Sequence, residues 1–150
     1  MAPACLEDTP RMLVIDDEPA IQGALQRFFA RRGWVVDCAS HGLEALARIE
    51  ARLDAGERFA LILCDLRMPT MSGLELHDVL ASRHPEVLER VVFLSGDLVS
   101  EDVREFIDRT SCRIFIKPLD VSALQRAADD ALRASASAGN TRRPEVARAS

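Results

Sequence analysis

Hydrophobic residues form five short runs along this chain, and segments with a helical repeat separate them. The runs are rich in Val, Ile, Leu and Phe and lack strict alternation with polar residues, which is typical of strands buried on both faces. The five runs are Met12–Ile15, Trp34–Cys38, Phe59–Cys64, Val91–Leu94 and Arg113–Ile116. Each run therefore predicts one strand of a buried sheet.

The segments that follow the runs carry apolar residues three or four positions apart, which is the spacing of one face of an α-helix. These apolar stripes are Ile21, Leu25 and Phe28; Leu43, Leu46, Ile49 and Leu53; Leu76, Val79 and Leu80; Val99, Val103, Phe106 and Ile107; and Val121, Leu124, Ala128, Ala131 and Leu132. Pro19 suits the first turn of the first helix, and Gly33 suits its end. Asp120 suits the N-cap of the last helix.

Strand and helix alternate five times, and this order predicts an α/β fold with helices on both faces of a parallel sheet. We expect a (βα)5, flavodoxin-like, doubly wound sheet of five strands in the order 2-1-3-4-5. The predicted domain spans residues 11–133 and follows an N-terminal extension, residues 1–10. In residues 134–150 the periodicity is lost and small and polar residues dominate, which predicts a flexible tail.

The composition excludes several classes of protein. The chain has 150 residues, 19 Lys and Arg against 24 Asp and Glu, and a net charge of -5, so a nucleic-acid partner is not expected. Its longest apolar run, Phe59–Cys64, is too short to cross a bilayer, so no membrane partner is expected either. The cysteines are scattered without a CxxC pair, and no signal-peptide pattern precedes them, which favours a cytoplasmic location.

Polar side chains follow four of the five predicted strands: Asp16, Asp17, Asp65, Ser95 and Lys117. In an open parallel sheet, ligands bind at the carboxyl ends of the strands, where the strand order reverses. Two carboxylates about 4 Å apart repel by roughly 4 kcal/mol at an effective dielectric constant near 20. Either one carboxyl stays protonated or a cation lies among the three, and a hard ion such as Mg²⁺ fits best. The lysine and the serine suit a phosphoryl group, and Asp65 is the candidate nucleophile for an aspartyl-phosphate.

Four segments carry a resemblance to a known family. They are VIDDEP (14–19), CDLRMPTMSGLEL (64–76), FLSGD (93–97) and IFIKPLD (114–120). In this order they resemble the receiver domain of two-component response regulators, over residues 11–133. The resemblance implies that Asp65 accepts a phosphoryl group from the phosphohistidine of a histidine kinase or a phosphotransfer protein.

The same resemblance assigns the remaining site residues. Asp17, Asp65 and the backbone carbonyl of Arg67 would ligate Mg²⁺, with Asp16 acting mainly through a bound water. Ser95 would move toward the phosphoryl group on activation, and Lys117 would bridge to it. The predicted function is a phosphorylation-dependent switch that changes protein–protein binding. The resemblance also implies that the fourth helix, fifth strand and fifth helix form a partner surface, through which a homodimer could form.

One position departs from the family pattern. The family usually places Tyr, Phe or His three residues before the lysine, where the ring reports phosphorylation. This chain has Ile114 there, and its aromatic residue comes one position later, at Phe115. Neighbouring residues of a strand point to opposite faces, so Phe115 does not replace the missing ring. We therefore do not expect the family's aromatic relay.

Arg67 and Asp97 form a second chain-specific feature. They lie two residues beyond Asp65 and Ser95, at positions that flank the phosphoryl group in the family. Opposite charges there predict an ion pair, worth at most about 1 kcal/mol if it behaves as surface pairs do. We expect the pair to screen the path of water and so to set the lifetime of the phosphoryl group.

Three other functions fit parts of the sequence. The Ser-Gly-Asp segment (95–97) and the stretch RTSCRIFIKPLD (109–120) resemble receivers attached to hybrid sensor kinases, and the first alternative is therefore a receiver detached from a longer protein. A small phosphatase that forms an aspartyl-phosphate is a second alternative, although the acids lack the Asp-x-Asp spacing of such enzymes. A third is an interaction module that keeps the fold without the switch. Taken singly, Asp16 and Asp17 also suit a helix N-terminus, and Lys117-Pro118 suits the end of a strand.

Overall fold

The computed structural model of the protein describes residues 9–96 and 98–140. Its five strands are β1 (Arg11–Ile15), β2 (Val35–Ala39), β3 (Leu61–Asp65), β4 (Val91–Ser95) and β5 (Arg113–Ile116). They form one parallel sheet in the order β2-β1-β3-β4-β5. The predicted fold class and strand order are confirmed.

Five α-helices alternate with the strands: α1 (Pro19–Ala30), α2 (Gly42–Asp54), α3 (Gly73–Arg83), α4 (Glu101–Arg109) and α5 (Val121–Asn140). A 3₁₀-helix, Pro85–Arg90, which the apolar spacing did not predict, follows α3. The residues up to Pro118 form one compact unit, and α5 belongs to a second. None of the helices in the described residues is both long and apolar enough to cross a membrane.

Local chemistry explains where several helices begin. Pro19 opens α1, where its missing N–H is not needed. The Ser72 hydroxyl accepts from the Glu75 N–H while the Glu75 carboxylate accepts from the Ser72 N–H, and this capping box starts α3. His41 caps α2 by accepting the Glu44 N–H at Nδ1. Gly33 follows α1 with a positive φ of 92°, which an L side chain rarely adopts.

The core lies around the central strands, and β3 and β4 are buried along their full length. Phe93 of β4 is fully buried and packs edge to face against Phe106 of α4, with ring centroids 5.2 Å apart. Leu13, Ile15, Ala45, Ile49, Ile62, Cys64, Leu76 and Leu80 belong to the same cluster. The parallel strands therefore read as continuous apolar runs because both of their faces are covered.

The structure corrects two predicted helix features. Phe28 was placed on the buried stripe of α1, but the structure buries Leu25 and Phe29 and leaves Phe28 partly exposed beneath the Arg32 guanidinium. Val99 was placed on the fourth helix, but α4 begins at Glu101. In both cases the spacing of apolar residues identified the helix. It did not determine the rotation of α1 or the first residue of α4, which depend on tertiary packing.

The last helix is longer than the sequence predicts. Helix α5 continues to Asn140, into the segment 134–140 that was assigned to the flexible tail. Alanine is the best helix former, so an Ala- and Ser-rich segment can extend a helix without an apolar stripe. Residues 1–8 and 141–150, which contain most of the predicted extension and the rest of the predicted tail, lie outside the described residues.

Candidate functional site

Three carboxylates meet at the carboxyl ends of β1 and β3. Asp16 and Asp17 follow β1, and Asp65 is the last residue of β3. The two strands are neighbours, with Ile15 opposite Cys64, so their ends lie side by side. One carboxylate oxygen from each aspartate lies within 4.8 Å of the other two. The structure therefore brings together the acidic cluster predicted from the sequence.

Lys117 places its ammonium group against this cluster. Its Nζ donates to Oδ2 of Asp65 at 3.0 Å and lies 3.6 Å from Oδ2 of Asp16. Its backbone N–H donates to the Ser95 carbonyl, which joins the end of β5 to the end of β4. Burial alone lowers the pKa of Lys117, but the hydrogen bond and charge of Asp65, with the charges of Asp16 and Glu18, outweigh it and raise that pKa.

Asp16 is fully buried, and its two carboxylate oxygens differ in their surroundings. Oδ1 accepts the backbone N–H of Glu18 at 2.9 Å, whereas Oδ2 has no hydrogen-bond partner among the described residues. Burial raises the pKa of Asp16 most, and the charge of Asp65 raises it further, although the Glu18 hydrogen bond opposes both. A buried oxygen without a hydrogen-bond partner, in a cluster of hard oxygen donors, fits a cation such as Mg²⁺.

The loop between β3 and α3 holds Asp65 in place. Arg67 donates its backbone N–H to Oδ1 of Asp65 at 3.2 Å, so both carboxylate oxygens of Asp65 are engaged. The loop returns so closely that a Cβ at Gly73 would collide with the Asp65 carbonyl oxygen. Thr70 accommodates the turn with a positive φ of 67°. Only glycine fits at position 73 while the loop keeps this path.

Ser95 and Ile114 occupy the remaining predicted positions. Ser95 ends β4, is fully buried, and lies beside the end of β3, since Asp65 is opposite Leu94. Ile114 of β5 packs against the hydrophobic core. The Arg113 guanidinium lies 6.0 Å from the ring centre of Phe115. An aliphatic side chain thus stands where the family usually carries its aromatic residue.

The Arg67 side chain has partners that the sequence analysis missed. It forms an ion pair with Asp102 of α4 at 2.9 Å and donates to the Ser100 hydroxyl at 2.9 Å. Asp97 lies outside the described residues, so the predicted pair between Arg67 and Asp97 stays a prediction. Acidic residues at the start of a helix were the available signal for Asp102, but they are too common there to identify a partner.

Gln22 was also missed, and no sequence signal identifies it. From α1 its side-chain amide donates to the carbonyl oxygens of Asp16 and Ala39. Cys64, by contrast, lies next to Asp65 but is fully buried, and burial raises the pKa of its thiol well above the usual value. Because a thiol reacts as its thiolate, Cys64 is a core residue and not a second nucleophile.

Fold and site together define a receiver domain of two-component signalling, and comparisons with known proteins agree. The model of the response regulator receiver domain family matches residues 12–129. The chain is similar to the transcriptional activator protein PfeR of Pseudomonas aeruginosa, with 32% identity over 128 residues, 83% of this chain and 38% of PfeR. It is 29% identical over 121 residues to the transcriptional regulatory protein ZraR of Klebsiella oxytoca, covering 81% of this chain and 26% of ZraR.

Solved structures show the same fold. A CheY-like response regulator receiver domain protein from Methanospirillum hungatei matches with a TM-score of 0.71 and 25% identity, over 85% of this chain and 97% of that one. A receiver domain from Clostridium thermocellum matches with a TM-score of 0.72 and 21% identity, over 85% of this chain and 97% of that one. The chain belongs to the response regulator receiver domain family. It spans well under half the length of PfeR and of ZraR.

The family match and the site geometry each bear on one of the alternative functions. Receiver domains are signalling domains and not enzymes of the phosphatase type, so the family match argues against a small phosphatase. Asp16, Asp17 and Asp65 lie together and Lys117 contacts Asp65, so the geometry favours a receiver that retains its charged cluster over a module that keeps only the fold.

Proposed function

We propose that Asp65 accepts a phosphoryl group from the phosphohistidine of a histidine kinase or phosphotransfer protein, in a reaction that requires Mg²⁺. One observation carries the proposal: Asp65 ends its strand within reach of two further carboxylates and 3.0 Å from the Lys117 ammonium. A nucleophilic carboxylate, a cation site and a fixed positive charge thus converge at one edge of the sheet.

Asp16, Asp17, Asp65 and the backbone carbonyl of Arg67 are the groups that would hold Mg²⁺. When bound, the ion supplies positive charge that offsets the negative charge of the acids and of the incoming phosphoryl group. Asp16 contributes the buried Oδ2 that has no hydrogen-bond partner among the described residues. Asp17 and Asp65 would ligate the ion directly, whereas Asp16 would act mainly through a bound water.

The chain's own residues carry the transfer. A carboxylate oxygen of Asp65 forms a bond to phosphorus while the bond from phosphorus to the donor histidine nitrogen breaks, and its electron pair returns to the imidazole. Lys117, already bound to Asp65, provides a fixed positive charge for the phosphoryl oxygens. Ser95 at the end of β4 offers a hydroxyl donor. The receiver thus assists its own phosphorylation and, through attack by water, its dephosphorylation.

The output that we propose is a change in protein–protein binding. The net charge of -5 does not favour direct contact with nucleic acid by this segment. The relatives PfeR and ZraR are named as transcriptional regulators and are much longer than the matched segment, so this chain also fits a receiver that works as part of a longer protein. The family resemblance favours α4, β5 and α5 as the surface for a homodimer.

The mass of the intact protein tests this function directly. After incubation with Mg²⁺ and acetyl phosphate, we expect the wild type to gain one phosphoryl group. Asp65→Asn and a sample with a chelator are expected to gain none, whereas Asp54→Asn, at the end of α2, is expected to react as the wild type does. Unmodified wild type, even with a phosphorylated histidine kinase as donor, would contradict the proposal.

A further inference from the structure

Gln22, near the start of α1, reaches from the helix to the carboxyl ends of β1 and β2. Its Nε2 lies 2.6 Å from the Asp16 carbonyl oxygen and 3.1 Å from the Ala39 carbonyl oxygen. The Ser40 hydroxyl lies 3.3 Å from the same nitrogen. Carbonyl oxygens only accept hydrogen bonds, so the amide nitrogen must face them, and its two N–H groups match the two carbonyls.

These contacts complete the restraint of the Asp16 backbone. The Asp16 N–H donates to the Ala39 carbonyl at 3.0 Å, and the Asp16 carbonyl accepts from Gln22. Both peptide groups that flank Asp16 are therefore held, and the second is the peptide that joins Asp16 to Asp17. Because backbone orientation sets the direction of each Cβ, this peptide controls where both carboxylates point.

The acidic cluster needs a restraint of this kind. Three carboxylates within 4.8 Å repel one another, and Asp16 is buried where that repulsion is poorly screened. A free Asp16–Asp17 segment would move away from Asp65 to relieve the repulsion. Gln22 opposes this movement through neutral backbone carbonyls, so it occupies none of the carboxylate oxygens that a cation would use.

Lys117 stabilises the same cluster in a different way. Its ammonium binds Asp65 directly and lies 3.6 Å from Oδ2 of Asp16, so it offsets the charge that a cation would also offset. Gln22 adds no charge and leaves Oδ2 of Asp16 without a hydrogen bond. The amide therefore favours the arrangement of the acids that suits a cation without competing for their oxygens.

We infer that Gln22 is a positioning residue for the Mg²⁺ site, which it preorganises by fixing the peptide between Asp16 and Asp17. The inference rests on the proposed function, because it assumes that this cluster binds Mg²⁺. Residues that orient metal ligands without touching the metal typically change metal affinity by about 10- to 100-fold when they are replaced. Gln22 acts through the backbone, so we expect a loss of about tenfold.

Gln26 provides a matched control on the same helix. Its Nε2 donates to the Val36 carbonyl of β2 at 3.1 Å, so it also joins α1 to β2 by an amide-to-carbonyl hydrogen bond. It lies one helical turn further from the acidic cluster. Methionine has nearly the shape of glutamine and lacks its donors. Gln22→Met therefore removes the hydrogen bonds to the Asp16 and Ala39 carbonyls, and Gln26→Met removes the one to the Val36 carbonyl.

The test measures Mg²⁺ binding to the unphosphorylated full chain by calorimetry, and the free energy of unfolding in the presence of a chelator. We expect Gln22→Met to raise the Kd for Mg²⁺ about tenfold and Gln26→Met to leave it unchanged. Both variants are expected to lose stability without metal, and Gln22→Met should lose more because it removes two hydrogen bonds to carbonyls where Gln26→Met removes one. The rate of phosphorylation by acetyl phosphate should fall in Gln22→Met at low Mg²⁺ and return to the wild-type rate at saturating Mg²⁺.

Each other outcome has a defined meaning. If the wild type binds Mg²⁺ and Gln22→Met binds it equally well, Gln22 is only a structural contact and the inference is wrong. If the wild type binds no Mg²⁺, both the inference and the proposed function fail. Gln22→Asn keeps the amide on a shorter side chain, so it should also weaken Mg²⁺ binding. It takes the place of Gln22→Met should that variant not fold.

Discussion

Lys117 is the only lysine in the chain, and all of the other residues counted as Lys or Arg are arginines. A compact ammonium acts as a point charge, which suits one carboxylate oxygen and later one phosphoryl oxygen. Its raised pKa, which results from Asp65, keeps it charged throughout the neutral range. The residue therefore compensates the acidic cluster when no metal is bound.

Replacing Lys117 by methionine should make stability depend more strongly on Mg²⁺. Without metal, Asp65 loses its charged partner, and we expect a loss of about 1–3 kcal/mol in the free energy of unfolding. With saturating Mg²⁺, much of this loss should be recovered, because the bound ion stabilises the folded state. Urea unfolding with chelator and with Mg²⁺ measures both values. An equal loss in the two conditions would show that Lys117 does not offset the same charge as the metal.

At the scale of single elements, α1 shows how packing selects among apolar residues. Phe29 is fully buried, and its ring packs edge to face with Trp34, whose centroid is 6.3 Å away. Phe28 is adjacent in sequence but partly exposed. Both are compatible with the helical spacing, so the rotation of α1 against the sheet decides which one is buried.

We expect Phe29→Ala to destabilise the protein by about 3–5 kcal/mol, as complete burial of a phenylalanine implies. Phe28→Ala serves as the matched control and should cost well under half as much, since its ring retains contact with solvent. Both values come from urea unfolding monitored by circular dichroism. Equal losses would mean that the two rings share the buried face of α1.

A second element-scale feature joins α2 to α3. The Glu50 carboxylate accepts from His84 at 3.0 Å and from Arg83 at 3.1 Å. The hydrogen bond from His84, followed by that from Arg83, lowers the pKa of Glu50 below its ordinary value of 4.5. Because the pKa of Glu50 is lower in the folded state, its ionised carboxylate stabilises the fold at pH values above 4.5. This stability is lost as the pH falls through the lowered pKa.

Glu50→Gln should therefore lower the urea midpoint at neutral pH. The difference from the wild type should shrink as the pH falls below 4.5 and through the lowered pKa of Glu50. Glu105→Gln, at an exposed position of α4, is the control for the loss of one negative charge and should lower the urea midpoint at neutral pH by less. A difference between wild type and Glu50→Gln that stays constant down to low pH would contradict the assignment.

The ion pair between Arg67 and Asp102 connects the loop that follows Asp65 to the first turn of α4. Both side chains are about half exposed, so the pair should be worth at most about 1 kcal/mol. We expect Arg67→Ala to change the dephosphorylation rate by at most about fivefold, through the path of attacking water. A double-mutant cycle with Asp102→Ala, followed by one with Asp97→Ala, identifies which acid is coupled to Arg67. If the effects of the two substitutions on the dephosphorylation rate are additive in both cycles, neither ion pair controls the lifetime of the phosphoryl group.

At the scale of the whole molecule, the proposed dimer predicts that substitution of an exposed residue on β5 prevents dimerisation, whereas substitution of an exposed residue elsewhere does not. Ile116 of β5 is 50% exposed, and Leu43 of α2 is 49% exposed on a different element. If phosphorylation drives dimerisation through β5, Ile116→Asp should abolish the phosphorylation-dependent increase in mass seen by light scattering. Leu43→Asp should leave the increase intact. An unaffected dimer in Ile116→Asp would exclude β5 from the interface.

The sequence was sufficient for the order of the strands and helices and for the grouping of the acids with Lys117 at one edge of the sheet. Buried strands produce continuous apolar runs, and helices that pack on a sheet produce stripes, so both features are written in local spacing. Asp16, Asp17, Asp65, Ser95 and Lys117 could be grouped because parallel strands end at the same edge. The extension of α5 was not predicted, because alanine-rich helix carries no periodic apolar signal.

The sequence by itself thus determined the fold class, the strand order and the acidic cluster with its single lysine. Only the tertiary structure decided that Phe29 is buried instead of Phe28, that Arg67 pairs with Asp102, and that Gln22 holds the Asp16 carbonyl. Periodicity and strand ends are local properties of the chain. These three features depend instead on how the helices and loops are positioned against their neighbours, which is settled only when the core packs.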